Sequence, residues 1–338
     1  MTDTRSASHR RAGLSRGALA AVLSVLVALL LPTTSVPAAA LAPAAGSIEP
    51  VTGFGSNPGA LTMYRYVPAG LPQGRPVVVA MHGCTQNAQV YGSSSGWTEL
   101  ADRWGFSVVL PEQTTANNAS SCFNWFQPGD IARGQGEAAS VAQMIDRQLA
   151  DVSGDASAVY VTGLSAGGGM TSVMLAAYPE KFAAGGIVAG LPYGCAQAAG
   201  SPYVCMYVGA TQTPQQWGDR VRAASSHTGP WPKVSVFQGS ADYTVKPVNM
   251  DDIVEQWTNV HGTDQTADVS DTVAGYPHKV YRDSGGTAVV ETYSITGMGH
   301  GQPVDPGTGV TQCGATGAYS LDVGLCAAYR MGHGWGLG

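Results

Sequence analysis

The stretch SAVYVTGLSAGGGMTSVMLAAYPE, residues 157–180, changes its backbone period at a single serine. Residues 157–163 form a short apolar run rich in β-branched and aromatic side chains, the composition of a buried strand. Residues 168–180 read as a helix. Between them Gly163 and Gly167 stand two positions on either side of Ser165. A strand that turns directly into a helix forces the turning residue into a strained conformation. The neighbours two away must then be small, because strand and helix pack closely. The pentapeptide alone also fits a glycine-rich turn without chemistry. The strand–turn–helix context favours Ser165 as a nucleophile, with helix N–H groups beneath it that favour developing negative charge.

The rest of the chain repeats this alternation. Residues 76–83, 106–113, 157–163, 182–190 and 233–239 read as strands, and 96–105, 136–151, 168–180 and 250–260 as helices. Residues 278–283 and 288–296 read as a late strand pair or as consecutive strands. Strands alternating with helices of this length imply βαβ units and a mostly parallel sheet. The strands are continuous apolar runs, as expected when helices cover both faces. No internal repeat or heptad breaks the pattern. We expect one α/β domain over residues 60–338, with residues 41–59 as its leading segment and loop-rich insertions near 191–232 and 301–325.

The first 40 residues do not fit that domain. Arg5, Arg10, Arg11 and Arg16 precede the fourteen-residue run 18–31, and Ala38 and Ala40 follow with the spacing of a small-residue cleavage site. A basic start, a short apolar run and such a site make a secretory signal peptide. The run falls short of the roughly 20 residues that span a bilayer. Four of the 17 basic residues and one of the 23 acids lie in this segment, so the remainder carries 13 against 22, a net of −9. Such a surface argues against nucleic acid and anionic membranes as partners. We expect a secreted, extracellular protein, acting as a monomer.

All six cysteines, Cys84, Cys122, Cys195, Cys205, Cys313 and Cys326, lie beyond that segment. An even count in an oxidising compartment reads as disulfides, and no CxxC pair suggests a zinc site. Proximity favours Cys195–Cys205 and Cys313–Cys326, leaving Cys84–Cys122. On the loop-entropy account the last, closing about 38 residues, contributes roughly 4 kcal/mol.

A serine nucleophile needs a base, and the base needs an orienting acid. In a sheet of this type the chain order is Ser, acid, His. Among the downstream histidines, His300 lies in TGMGHGQP, a glycine-flanked loop just after the run 288–296. His278 begins a strand, His261 ends a helix and His227 sits in a polar loop. For the acid, Asp242 follows the strand 233–239 by three residues. Asp251 and Asp252 start a helix, where acids are ordinarily favourable, and Asp271 lacks an anchoring strand. The oxyanion donors are expected from the residue after the nucleophile, Ala166, and from the early loop MHGCTQ, at the Cys84 N–H. A disulfide to Cys122 would fix that donor.

HGCTQ (82–86), CFNWF (122–126), GLSAGG (163–168), GSADYTV (239–245) and GMGH (297–300) occur in that order. The combination resembles the extracellular polyhydroxybutyrate depolymerase family of esterases, to which some acetylxylan and feruloyl esterases are related. The resemblance runs from about residue 60 to 336. It implies an α/β-hydrolase fold, the triad Ser165, Asp242 and His300, oxyanion donors at Cys84 and Ala166, and Trp125 lining an acyl groove. Core packing is the plain alternative for Trp125. It further implies a secreted serine carboxylester hydrolase that needs no cofactor or metal and acts on poly(3-hydroxybutyrate)-type polyesters. Feruloyl or acetylxylan esterase activity on plant cell wall polysaccharide, and aromatic polyester hydrolysis, share the same motifs. A binding protein on an inactive scaffold would require a broken triad, and none is visible.

Overall fold

Ten strands form one sheet in a computed structural model that describes residues 46–338. The segment read as a secretory signal lies outside the described residues. In chain order the elements begin with β1 (Ile48–Val51), β2 (Thr62–Tyr66), β3 (Val77–Met81), α1 (Ala88–Ser94), α2 (Trp97–Trp104) and β4 (Ser107–Glu112). They continue with α3 (Pro128–Ile131), α4 (Gly136–Val152), β5 (Val159–Leu164), α5 (Ala166–Ala177) and β6 (Ala184–Val188). Then come α6 (Cys195–Ala199), α7 (Pro202–Val208), α8 (Pro214–Ala223), β7 (Lys233–Gly239) and α9 (Val248–His261). The last are β8 (Val269–Val273), β9 (Tyr276–Arg282), β10 (Ala288–Ile295), β11 (Gln302–Val304), β12 (Ser320–Asp322) and α10 (Ala327–Gly334).

The sheet order is β1-β2-β4-β3-β5-β6-β7-β10-β9-β8. The six strands from β4 to β10 pair in parallel. The flanking pairs β1–β2, β2–β4, β9–β10 and β8–β9 are antiparallel. Every residue of β3 is buried. Val77, Val79 and Met81 enter a core with residues of α4, α5, α8 and α9, whereas Val78 and Ala80 enter a second core with residues of α1, α2 and α10. Period-2 alternation thus distributes one apolar run over two cores, as in a parallel sheet with both faces covered.

One region departs from expectation. Residues 191–232 are not loop-rich: they carry α6, α7 and α8. Each helix is short, so the apolar period completes too few turns to be read. Helix α8 nonetheless has a sequence mark, since Thr213 and Gln216 form a capping box with Pro214 at the first helical position. Residues 301–325 are mostly loop, with the short parallel pair β11–β12 inside them. The late strands β9 and β10 form the antiparallel pair, one of the two arrangements expected.

The chain passes from β3 to β4 on one side and returns to β5 on the other side of β3. This is the switch point of the sheet, where consecutive loops diverge beyond the strand ends and leave a crevice. Its packing is tight. A methyl group on Gly167 would run into the carbonyl oxygens of Met81 and His82, and one on Gly163 into the carbonyl of Gly167. Gly167→Ala therefore sets about 1 kcal/mol of gained helix propensity against backbone overlap. Neither carbonyl can swing aside as a side chain would, so the overlap costs about 3 kcal/mol. A net loss of about 2 kcal/mol in urea unfolding is expected; an unchanged midpoint would show that the turn yields.

Candidate active site

Ser165 occupies the turn between β5 and α5 with φ 57° and ψ −116°, a conformation that a residue with a side chain rarely adopts. The backbone around it supplies the compensation. The Ser165 N–H donates to the Val188 carbonyl at 2.9 Å, and its own carbonyl accepts from the Gly169 N–H at 2.8 Å. The side chain is thereby held at the crevice above the switch point.

The acid and the histidine arrive on adjacent strands. β7 and β10 pair in parallel from Val234↔Val290 to Gly239↔Ile295, so the loops beyond them leave side by side. The Ala241 N–H donates to the Met298 carbonyl at 3.0 Å and the Gly297 N–H to Ser240 Oγ at 2.9 Å. Gly239 has no room for a side chain against the Met298 carbonyl. Within this clamp Asp242 Oδ1 accepts from the N–H groups of Thr244 (2.8 Å) and Val245 (2.9 Å). Asp242 Oδ2 accepts from Gln238 Nε2 (3.1 Å) and from His300 Nδ1 (2.7 Å). The Asp242 side chain is fully buried. With Nδ1 donating to a carboxylate, Nε2 is the nitrogen left to exchange a proton elsewhere. Ser165 and His300 line the same pocket of about 140 Å³, together with Cys84, Thr244 and Tyr319.

Ser165 also borders a larger pocket of about 300 Å³, lined by Ala166, Trp125, Phe126, Leu191, Tyr203 and Met206 among others. Cys84, Ser165 and Met206 belong to both, so the crevice has two lobes meeting at the serine. Trp125 stands at the border of core and crevice. It is almost completely buried, packs over Gly169 in the first turn of α5, and still contributes to the wall of the larger lobe.

At the junction stand two amides with no protein acceptor among the described residues. Cys84 N–H makes none of the loop hydrogen bonds of its segment. Ala166 N–H opens α5 and, like every first-turn amide, lacks an intrahelical partner. The cysteine bond Cys84–Cys122 ties the loop after β3 to the segment 114–122, as does the Thr85 N–H to the Ser120 carbonyl at 2.8 Å. The other pairs are Cys195–Cys205 and Cys313–Cys326. The remaining histidines lie elsewhere. His278 is held between Asp271 and Glu291, His261 lies against the Pro232 carbonyl and His227 against that of Pro230.

Beneath this loop runs a polar network that sequence reading did not find. Glu137, fully buried at the start of α4, accepts from Gln113 Nε2 (2.5 Å), Asn124 Nδ2 (2.7 Å), Asn117 Nδ2 (3.2 Å) and the Asn124 N–H (2.8 Å). Burial pushes its carboxyl up to about 8, against the pull of these donors. The group anchors the segment that carries Cys122 and Trp125. Its partners are scattered single polar residues without periodicity, so no sequence pattern marks them.

His82 completes the support. Its Nε2 accepts from the Gln113 N–H at 3.1 Å, so Nδ1 carries the proton and donates to the Gly83 carbonyl at 2.7 Å. Burial pushes this imidazole down to about 4. The unfolded chain therefore binds a proton as pH falls through about 6.5, and the fold does not until about 4. Stability that is complete above 6.5 is lost down to 4, by roughly 3 kcal/mol. Urea unfolding of the wild type and of His82→Gln at both ends of this range should differ by about that amount; equal pH slopes would exclude a buried neutral His82.

A serine on a strained turn after β5, an acid after β7 and a histidine after β10 are the α/β-hydrolase arrangement, and the class so defined is that of the serine hydrolases. The comparisons narrow it. Residues 61–273 match the family described as esterase PHB depolymerase. Poly(3-hydroxyalkanoate) depolymerase C of Paucimonas lemoignei is 55% identical over 292 residues, covering 86% of this chain and 70% of that protein. Feruloyl esterase B of Thermothelomyces thermophilus is 36% identical over 269 residues, covering 77% and 90%. The solved acetyl xylan esterase from Aspergillus awamori superposes with a TM-score of 0.69 at 31% identity, covering 75% of this chain and 94% of that one. The chain belongs to the esterase PHB depolymerase family, whose relatives here are carboxylic ester hydrolases.

Proposed function

We propose that this protein hydrolyses short-chain polyesters of the poly(3-hydroxybutyrate) type through an acyl-enzyme at Ser165. The observation that carries the chemistry is the hydrogen bond from His300 to the buried Asp242, with His300 lining the pocket that Ser165 also lines. His300 Nε2 takes the hydroxyl proton as Ser165 Oγ attacks the ester carbonyl. The carbonyl oxygen, now an anion, accepts from the Cys84 and Ala166 N–H groups. Collapse of the tetrahedral species breaks the ester C–O bond, and His300 gives its proton to the departing alcohol. Water then attacks the acyl-enzyme with His300 again as base, releasing the acid and restoring Ser165. Asp242 holds the imidazole tautomer and stabilises the imidazolium.

Two lobes meeting at the nucleophile suit a chain substrate with a residue on either side of the scissile bond. The larger, Trp125-lined lobe is assigned to the acyl part. The polyester reading rests on the 55% identity to a poly(3-hydroxyalkanoate) depolymerase, against 36% for the feruloyl esterase. One chain carries every residue of the proposed site, so a monomer suffices. Among the described residues no helix is long and apolar enough to cross a membrane. The basic and apolar pattern of residues 1–40, together with three disulfides, supports export to an oxidising compartment.

Clearing of an amorphous poly(3-hydroxybutyrate) suspension tests the substrate. Clearing by wild type and none by Ser165→Ala is expected. No clearing, by a preparation that cleaves a short-chain nitrophenyl ester, overturns the polyester reading in favour of soluble or cell-wall esters.

A further inference from the structure

Among the described residues eight large apolar side chains are exposed, and six of them lie on α7 or on segments that also contribute to the crevice lining. Tyr203, Val204, Tyr207 and Val208 lie at i, i+1, i+4 and i+5 of α7, which places them on one face of that helix. Tyr203 and Val208 are each 68% exposed. Tyr319 lines the smaller lobe, and Tyr243, 80% exposed, adjoins Thr244 in the same wall. Single exposed apolar residues are ordinary; a cluster at one place marks a contact surface.

The opposite side of α7 is fixed. Cys205 is bonded to Cys195, and the Met206 carbonyl accepts from the Lys246 N–H at 2.9 Å and from Asn249 Nδ2 at 3.1 Å. Met206 and Tyr203 meanwhile belong to the crevice lining, so the exposed face continues directly from the lobe walls. The α7 part of this surface is also uncharged. Residues 182–218 contain no Asp, Glu, Lys, Arg or His, so all 17 basic and 23 acidic residues of the chain lie outside them.

We propose that the outer face of α7, with Tyr243 and Tyr319, is an adsorption surface for a water-insoluble, uncharged polyester, which it holds beside the crevice. The inference rests on the polyester reading above and adds a second contact to it. A solid built of neutral esters presents apolar chain and no charge, and the charge-free outer face of α7 is its complement, with the exposed Lys246 at its border where its N–H meets the Met206 carbonyl. A rigid face is already ordered, so adsorption bears little conformational cost. A bilayer fits less well. Interfacial helices present cations beside a long apolar stripe, whereas α7 is seven residues long and has none.

The test uses Ser165→Ala, which binds without degrading, and the triple variant Val204→Ser, Tyr207→Ser, Val208→Ser in the same background. None of the three lines either lobe. Adsorption to a poly(3-hydroxybutyrate) film, followed by quartz microbalance, is expected to fall at least about tenfold in the triple variant. It should not weaken between low and about 1 M salt, where charge attraction is screened. The same triple substitution in active enzyme should leave kcat/KM on a soluble nitrophenyl ester unchanged while clearing slows, which shows that the fold survives. Equal adsorption by the triple variant overturns the proposal. So does binding to zwitterionic vesicles in place of the film, or a loss of self-association, seen by sedimentation, in place of a loss of adsorption. Wild type that adsorbs through α7 yet clears no polymer would sink the substrate reading and leave this surface standing.

Discussion

Ser165→Ala should lower turnover of a short-chain nitrophenyl ester by about 10⁴- to 10⁶-fold. The loss is large because nothing nearby can substitute. The serine projects from a backbone held at φ 57° between Val188 and Gly169, and alanine takes the same position without an oxygen to attack with. The sulfur of Cys84, which lines the same pocket, is engaged with Cys122. The two unpartnered amides and the lobes remain, so substrate binding should survive and the effect should fall on kcat. Stability should hardly move, since the hydroxyl removed faces the crevice and makes no hydrogen bond to another described residue. Measuring kcat and KM separately, beside urea unfolding, makes the comparison. A variant retaining more than a tenth of the activity would show that Ser165 is not the nucleophile.

Asp242→Asn should cost on the order of 10⁴-fold in kcat, while the protein folds. Asp242 receives four N–H donors, from Thr244, Val245, Gln238 and His300. An amide has one oxygen to offer them and an NH₂ that must face a donor or turn away. With Oδ1 retained toward the Thr244 and Val245 amides, the NH₂ points at His300 Nδ1. The imidazole then takes the tautomer with its proton on Nε2, the atom that must accept from Ser165. The base is present but wrongly protonated, and the imidazolium formed in the reaction loses its stabilising charge. Activity within tenfold of wild type would move the orienting role to another acid. Asp252 and Asp271 are poor candidates, because they contact the Ala210 N–H and His278 instead.

The strands that were legible as unbroken apolar runs share one property, burial on both faces. β3 to β7 show continuous apolar runs because helices cover them on each side. β1 and β8, at the two edges of the sheet, alternate weakly and carry exposed polar residues, so their runs do not stand out from loop. Helices α6 and α7 were missed because five and seven residues complete barely two turns. The residues proposed to react were legible for a different reason. Ser165, Asp242 and His300 each follow a strand by a few residues and sit among glycines, so local punctuation marks them. Glu137, Gln113 and Asn124 have no such punctuation, and their role depends on segments packed across the sheet.

By itself the sequence determined the alternation of strand and helix, the strained serine turn and the three loop positions proposed to carry chemistry. Each is a property of residues within a few positions of one another, where backbone sterics and periodicity act. It did not determine that β7 lies beside β10, since α9, β8 and β9 intervene in the chain. That pairing alone brings Asp242 to His300. Nor did it determine the free amide of Cys84, the two lobes at Ser165 or the outward face of α7. Those depend on which surfaces are buried against which. Burial is settled by the packing of two cores against one sheet, where contacts far apart in sequence decide the free energy.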